Sequence, residues 1–423
     1  ALTLTGWRER GFYGRAYRVK KEISADDLRR RLLITLDHEV DVLEHQFARN
    51  RVHHIRGVAH FLDAHTLQID KDDGEQMQVT ANAVLLTVGT KPHRPAHIPF
   101  DGEKVIDSDE LLHLTEIPRS MVVIGAGVIG IEYATIYSAL DTRVTVIEPR
   151  QTMLDFIDRE IVEDFTYELR DRSMKLIFGE KDEKVEREPN GKCRVHLSSG
   201  RTVSADMVLY CAGRIGAVES LKLDNIGLKA DERGRIKVNP ETFQTDVPNV
   251  YAAGDIIGFP SLASTAMEQG RIAARHAVGA PAADPPQYFP YGIYSVPEIS
   301  TCGLTEEEVK ARHIPYECGI ARFRETSRGH IMGLDSGMLK MIFSLKTRRL
   351  LGVHIIGEGA TELIHIGQAV LNLKGTVDYF VENTFNYPTL AEAYKIAGLD
   401  AWNRMGELAD HNEDEAVQAQ AAQ

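Results

Sequence analysis

Residues 121–130 constrain this chain more than any other stretch. Met121-Val-Val-Ile124 is a short continuous apolar run, read as a buried strand, and it leads directly into Gly125-Ala-Gly127-Val-Ile-Gly130. The last glycine opens a helical pattern through Ala134 and Ile136. Glycines at these positions permit a tight turn, close approach of backbone to a pyrophosphate and close helix-sheet packing, with the helix N-terminus aimed at the phosphates. The next strand, Arg143-Val-Thr-Val-Ile-Glu148, closes on a carboxylate where a dinucleotide's adenosine ribose belongs. An acid there favours a free 2′-hydroxyl, and hence NAD, because a 2′-phosphate is repelled unless a cation lies beside it. Arg150 is either that cation or a solvated loop charge.

The rest of the chain is large enough to surround such a unit. At 423 residues it exceeds what one hydrophobic core organises, so about two or three domains are expected. A formal net charge of -13 argues against nucleic acid or an anionic membrane as the main partner. No apolar run reaches the ~18 residues that cross a bilayer, and charge and glycine stand where a secretory apolar region would lie. A cytoplasmic protein is the expectation. Cys193, Cys211, Cys302 and Cys318 form no close pair, so neither a metal site nor a redox pair is read from them.

Along the chain, Leu32, Leu33, Leu36, Val40, Val42, Leu43 and Phe47 recur at helical spacing. Short strands are read at 58–61, 66–69 and 83–88, then a proline-bearing connection from Lys91 to Ser120. From Met121 to about Val238 helix and strand patterns alternate, the signature of a doubly wound parallel sheet. Another buried strand, Asn249 to Ala253, precedes a helix over 262–278, and prolines between Ala280 and Pro290 mark a boundary. An α+β pattern then runs to about Met405, and 406–423 reads as a disordered tail.

A second carboxylate sits at a strand end in Val250-Tyr-Ala-Ala-Gly254-Asp255. Open α/β sheets bind ligands at such ends, so Asp255 reads either as holding a polyol hydroxyl or as a structural acid. Ser261 is read as the N-cap of the helix that follows, whose positive end favours a group gaining negative charge.

Taken in order, Thr87-Val-Gly89-Thr90, Gly125 to Gly130, Cys211-Ala-Gly213-Arg214, Tyr251 to Asp255, Tyr294-Ser-Val-Pro297-Glu298 and Pro388-Thr-Leu-Ala-Glu392 resemble the flavoprotein disulfide reductases. The resemblance implies an α/β fold with Rossmann-like FAD and NAD(P) domains and a C-terminal α+β dimerisation domain. Its expected divisions are 1–115 and 241–288 for the FAD domain, 116–240 for the NAD(P) domain and 289–405 for the interface. It further implies that Gly254 and Asp255 meet the FAD ribityl and pyrophosphate region, that the Leu262-Ala263 backbone approaches the flavin ring, and that Gly57 to Ala59 lies near the adenine. Thr87, Gly89 and Gly213 join the implied cofactor-binding set. Glu132 matches the family's acidic residue near the nicotinamide, although on bare sequence it is an ordinary helix-surface charge.

The chain departs from the family pattern in two places. The initial strand, its own glycine fingerprint and a Cys-x4-Cys are not found, so the FAD domain is expected to lack its first unit. Dithiol-using members also carry a His before Pro-Thr, paired with a Glu, whereas this sequence reads Phe385-Asn-Tyr387-Pro388-Thr389. A phenol, with a reference pKa of ~10, is a poor proton acceptor at neutral pH, and Glu392 is expected to have lost its partner. Direct hydride exchange needs stacking geometry rather than a proton shuttle. Tyr13-Gly-Arg-Ala-Tyr17, His365-Ile-Gly-Gln368 and Asn383-Thr-Phe-Asn-Tyr387 are similar to segments of the family's soluble pyridine nucleotide transhydrogenases. The expectation is a homodimer or higher homo-oligomer using FAD, with NAD(H) and NADP(H) as substrates and Glu132, Tyr387 and Glu392 as candidate catalytic residues. A dithiol oxidoreductase in which Tyr387 replaces the base, or a non-catalytic NAD-binding fragment, are the alternatives.

Overall fold

The structure is a computed structural model that describes the chain except residues 15, 282–284, 286 and 422–423, with backbone alone over 407–421. The middle of the Tyr13 to Tyr17 segment and much of the proline-rich boundary therefore lie outside the described residues.

Five parallel strands form the sheet of the central unit, in the order Val105–Asp107, Met207–Tyr210, Ser120–Ile124, Arg143–Glu148 and Lys175–Phe178. Alternate side chains of Ser120–Ile124 face opposite ways, as a strand's period of two requires. Met121 and Val123 pack with Ile131 and Phe165 of the helices Val128–Ala139 and Arg159–Asp171. Val122 and Ile124 pack with Val195 and Leu197 of a three-stranded antiparallel sheet. Both faces are thus covered, which is why the run Met121 to Ile124 is apolar without a break. Its edge strand comes from Val105–Asp107, inside the stretch expected to be only a connection and ahead of the expected division at 116. Three residues among prolines are too few to carry a readable period.

The chain on either side of this unit builds a second one. Val84–Leu86 pairs in parallel with Val250–Ala252, although the two are far apart in sequence. Phe61, Leu86, Val250, Ala252 and Ile256 share one core. Thr90–Pro92 pairs with Arg214–Gly216, tying the two units together. The long helix Ala25–Arg49 starts at a capping box in which Ser24 and Asp27 exchange side-chain and backbone hydrogen bonds. Its apolar positions Leu33, Leu36, Val40, Leu43 and Phe47 face outward.

The C-terminal unit is a five-stranded antiparallel sheet backed by the helix Ala360–Asn372. The final helix is Glu392–Ala421, which runs through most of the stretch expected to be a tail. Ala, Glu and Gln are strong helix formers, and neither Gly nor Pro follows Gly406. Among the described residues no helix is long and apolar enough to cross a membrane.

One buried charge cluster binds the C-terminal sheet to the central unit. Lys340 is 1% exposed in the strand Met338–Ser344, with Nζ 2.9 Å from Asp158 Oδ1 and 3.1 Å from Glu160 Oε2. Glu306 is a third partner. Asp158, itself fully buried, also accepts the backbone N–H groups of Glu160 and Glu306, so it caps helices from two units. Burial alone would raise its pKa, but His354, Lys340 and these hydrogen bonds outweigh burial and hold the carboxyl below its ordinary value. Its contribution to stability is therefore complete above the unfolded value of ~3.9 and is lost as pH falls through the depressed folded value. Removing the cation leaves a buried carboxylate without a counter-charge. We predict that Lys340→Met lowers stability by about 3–5 kcal/mol, read as a lower urea midpoint. An unchanged midpoint would show that the backbone donors alone sustain Asp158.

Candidate functional site

The glycine turn is shaped by what it excludes. Gly125 has φ +103°, and a Cβ there would stand 2.8 Å from the carbonyl oxygen of Cys211. At Gly130 a Cβ would fall 2.0 Å from the Gly125 carbonyl oxygen, so both glycines are demanded by the turn itself. Gly127 is different. It precedes Val128–Ala139 with an ordinary φ of -77°, and a Cβ would meet no atom within 4 Å. The space over Gly127 is open to a ligand, and the helix's first N–H groups have no side-chain cap. Gly213, at φ +114° beyond the strand Met207–Tyr210, follows the Cys211 that packs on this turn.

Glu148 ends the neighbouring strand and is 4% exposed. Its Oε2 accepts the Ala126 N–H at 2.7 Å, fastening the strand end to the glycine turn. Its Oε1 lies 2.8 Å from Arg150 Nε, and Arg150 Nη1 lies 2.8 Å from Asp155 Oδ1. Arg150 is therefore held between two carboxylates while its side chain stays half-exposed. Burial pushes the Glu148 carboxyl up, but Arg150 and the two backbone N–H donors bring it below its ordinary value.

On the other side, Gly254 and Asp255 open a short 3-10 turn after Val250–Ala252, with Gly254 at φ +79° and its N–H on Gln269. Thr87 and Gly89 follow the paired strand Val84–Leu86. Asp255 Oδ2 accepts from Thr90 Oγ1 at 3.3 Å, and Arg214 donates to both the hydroxyl and the carbonyl of Thr90. Arg214 also reaches Asp109, beyond the edge strand of the central sheet. This chain of contacts joins the two halves of the site, and residue type alone marks neither Thr90 nor Arg214 for that role. The helix Ala263–Ala277 has Leu262 as N-cap, with no side-chain cap. Ser261 is not the cap: at φ +47° its hydroxyl turns back to the Gly258 carbonyl. Gly57 and Ala59 lie one sheet away, at the strand Val58–Phe61, whose Phe61 packs with Leu86 and Ala252.

Glu132 is half-buried. Its Oε1 accepts the Tyr294 N–H at 2.8 Å, and burial raises its carboxyl above the ordinary value while that N–H acts in opposition. Tyr387 is 69% exposed, and its hydroxyl lies 2.5 Å from Ser327 Oγ. Glu392 accepts the Thr389 N–H at 3.0 Å. No hydrogen bond among the described residues joins Tyr387 or Glu392 to either half of the site.

The open face at Gly127 yields a test. Gly127→Val adds a side chain where the protein has nothing to clash with and where a pyrophosphate backbone contact would lie. The variant should fold normally and bind NADH at least about tenfold more weakly, the scale of one lost charge-assisted contact. Fluorescence titration of NADH into both proteins checks this, and equal affinity would remove the turn from the binding site.

Comparison with known proteins follows these lines. The pyridine nucleotide-disulphide oxidoreductase model matches residues 8–270, and its dimerisation-domain model matches residues 289–397. A soluble pyridine nucleotide transhydrogenase of Mycobacterium bovis is 48% identical over 408 residues, covering 96% of this chain and 87% of that protein. One from Salmonella paratyphi C is 42% identical, covering 88% and 81%. Among solved structures, LpdA from Mycobacterium tuberculosis superposes with a TM-score of 0.86 at 23% identity, over 94% of this chain and 87% of that one. The HOCl-induced flavoprotein disulfide reductase RclA from Escherichia coli gives 0.75 at 24% identity, over 81% and 78%. The two solved structures share the fold, and the matched models and relatives extend the likeness to sequence: this chain belongs to the pyridine nucleotide-disulphide oxidoreductase family.

Proposed function

We propose that this protein is an FAD-dependent transhydrogenase that passes hydride between NADPH and NAD⁺, acting as a cytoplasmic homodimer. The observation that supports the reading is the contact chain from Asp255 through Thr90 and Arg214 to Asp109, which ties the Gly254-Asp255 strand end to the unit bearing the glycine turn. The names of the relatives and the dimerisation-domain match support it.

The residues present fit a nicotinamide dinucleotide, and they fit part of an FAD site, whose own glycine fingerprint is not found in this sequence. Open space at Gly127 and uncapped N–H groups beyond it suit a pyrophosphate, with Glu148 and Arg150 at the adenosine ribose and Gly125, Gly130 and Gly213 shaping the turn. For FAD, Gly254 and Asp255 would hold the ribityl and pyrophosphate region, with Thr87 and Gly89 beside them and Gly57 and Ala59 toward the adenine. Bound flavin supplies a two-electron carrier that takes hydride from one nicotinamide and returns it to another. The uncapped first turn at Leu262 and Ala263 presents backbone N–H groups, favourable to a ring that becomes more negative on reduction. Glu132 fixes the strand-to-loop passage at Tyr294 by its hydrogen bond, steadying the wall beside the nicotinamide.

Nothing in this chemistry asks for a thiolate or a proton shuttle. Burial pushes the Cys193 thiol to about 11 and Cys211, Cys302 and Cys318 to about 12, so all four stay protonated and unreactive near neutrality. Tyr387 contributes one exposed hydrogen bond to Ser327, and Glu392 steadies the turn at Thr389.

With FAD supplied, Tyr387→Phe should keep most NADPH-dependent reduction of an NAD⁺ analogue. A loss of ~10²- to 10⁴-fold is the size expected for a general acid-base residue and would indicate proton transfer instead. NADH-dependent reduction of lipoamide, measured in parallel, separates the two chemistries. Robust lipoamide turnover that Tyr387→Phe abolishes would place the protein among the dithiol oxidoreductases.

A further inference from the structure

The two nucleotides of the proposed reaction differ only in the adenosine ribose, which carries a 2′-hydroxyl in NAD(H) and a 2′-phosphate in NADP(H). The sequence holds a single strand-linked G-x-G-x-x-G, so the same turn must serve both. Glu148 suits the hydroxyl and repels the phosphate. The structure places beside it a cation that is already spoken for: Arg150 gives Nε and Nη2 to Glu148, and Nη1 to Asp155.

The three side chains differ in freedom. The Glu148 side chain is 5% exposed and pinned by the Ala126 N–H, whereas those of Arg150 and Asp155 are 44% and 54% exposed. Asp155 stands in an irregular loop between Glu148 and the buried Asp158, so it can give up its partner without disturbing a helix or strand. A half-exposed ion pair is weak, and a 2′-phosphate carries nearly two charges and accepts a guanidinium in bidentate fashion.

From this geometry we infer that Glu148, Arg150 and Asp155 form a two-position selector for the ribose 2′ group, a reading that rests on the proposed use of both nucleotides. With a 2′-hydroxyl, Arg150 stays on Glu148 and Asp155, as in this structure, and Glu148 accepts the ribose hydroxyl. With a 2′-phosphate, Arg150 leaves Asp155, pairs with the phosphate and screens it from Glu148. Asp155 thus brings the two affinities closer by competing for the cation that would otherwise favour NADP(H). It is a positioning residue and acts through Arg150.

The test uses ADP-ribose and 2′-phospho-ADP-ribose, which carry no nicotinamide, titrated calorimetrically into the full chain. The readout is the ratio of the two dissociation constants, phosphorylated over plain. Asp155→Asn should lower this ratio about tenfold and Arg150→Gln should raise it about tenfold, the scale of a charge-assisted hydrogen bond. In the Arg150→Gln background, adding Asp155→Asn should change the ratio little, because the cation it competes for is gone. A full Asp155→Asn effect in that background would reveal simple repulsion of phosphate by Asp155 and overturn the selector. An unchanged ratio in either single variant would do the same. The titration involves no electron transfer, so intact ratios alongside absent NADPH-to-NAD⁺ hydride transfer would count against the transhydrogenase reading alone.

Discussion

Asp158 ties the C-terminal unit to the central one. Its two oxygens cap the helix Arg159–Asp171, accept the Glu306 N–H from the C-terminal unit and meet the buried Lys340 ammonium. A fully buried carboxylate survives only with a counter-charge and a full set of donors, and here these come from two units. The cluster therefore sets how the C-terminal sheet stands against the nucleotide sheet. It also fastens the far end of the loop whose near end is Glu148, so the segment bearing Arg150 and Asp155 is tied down at both ends by buried acids.

The site follows from this framework and from one further line of contacts. Open α/β sheets bind ligands beyond their carboxyl ends, and here two such ends, at Glu148 and at Asp255, belong to different sheets. Their relation is held by Thr90 and Arg214 and by the small antiparallel pair of Thr90–Pro92 with Arg214–Gly216. Arg214 thereby serves as a structural link between the two units. Glu132 adds a third tie, from the nucleotide helix to Tyr294.

Much of the fold and half of the site are legible in the residues because their causes are local. Gly125, Gly127 and Gly130 sit between an apolar run and a helical pattern, and Glu148 follows at the end of the next strand. What escapes reading depends on partners distant in the chain or on backbone geometry. Ser261 has the right chemistry for an N-cap, but its positive φ turns the hydroxyl to Gly258. Val105–Asp107 is too short to announce itself as a strand. Lys340 did leave a signal: a lone cation in Met338-Leu-Lys-Met-Ile-Phe-Ser344 implies a buried counter-ion, though not which one.

The sequence by itself determined the fold class, the dinucleotide turn and the family pattern, since glycine placement, hydrophobic period and motif order are properties of neighbouring residues. Only the tertiary structure decided that Glu132 is half-buried and bonded to the Tyr294 N–H, that Arg150 is shared with Asp155, and that Asp158 is neutralised by Lys340. A charge's role is set by its burial and by the opposing charges brought near it. Those distances exist only once segments separated in sequence have packed together.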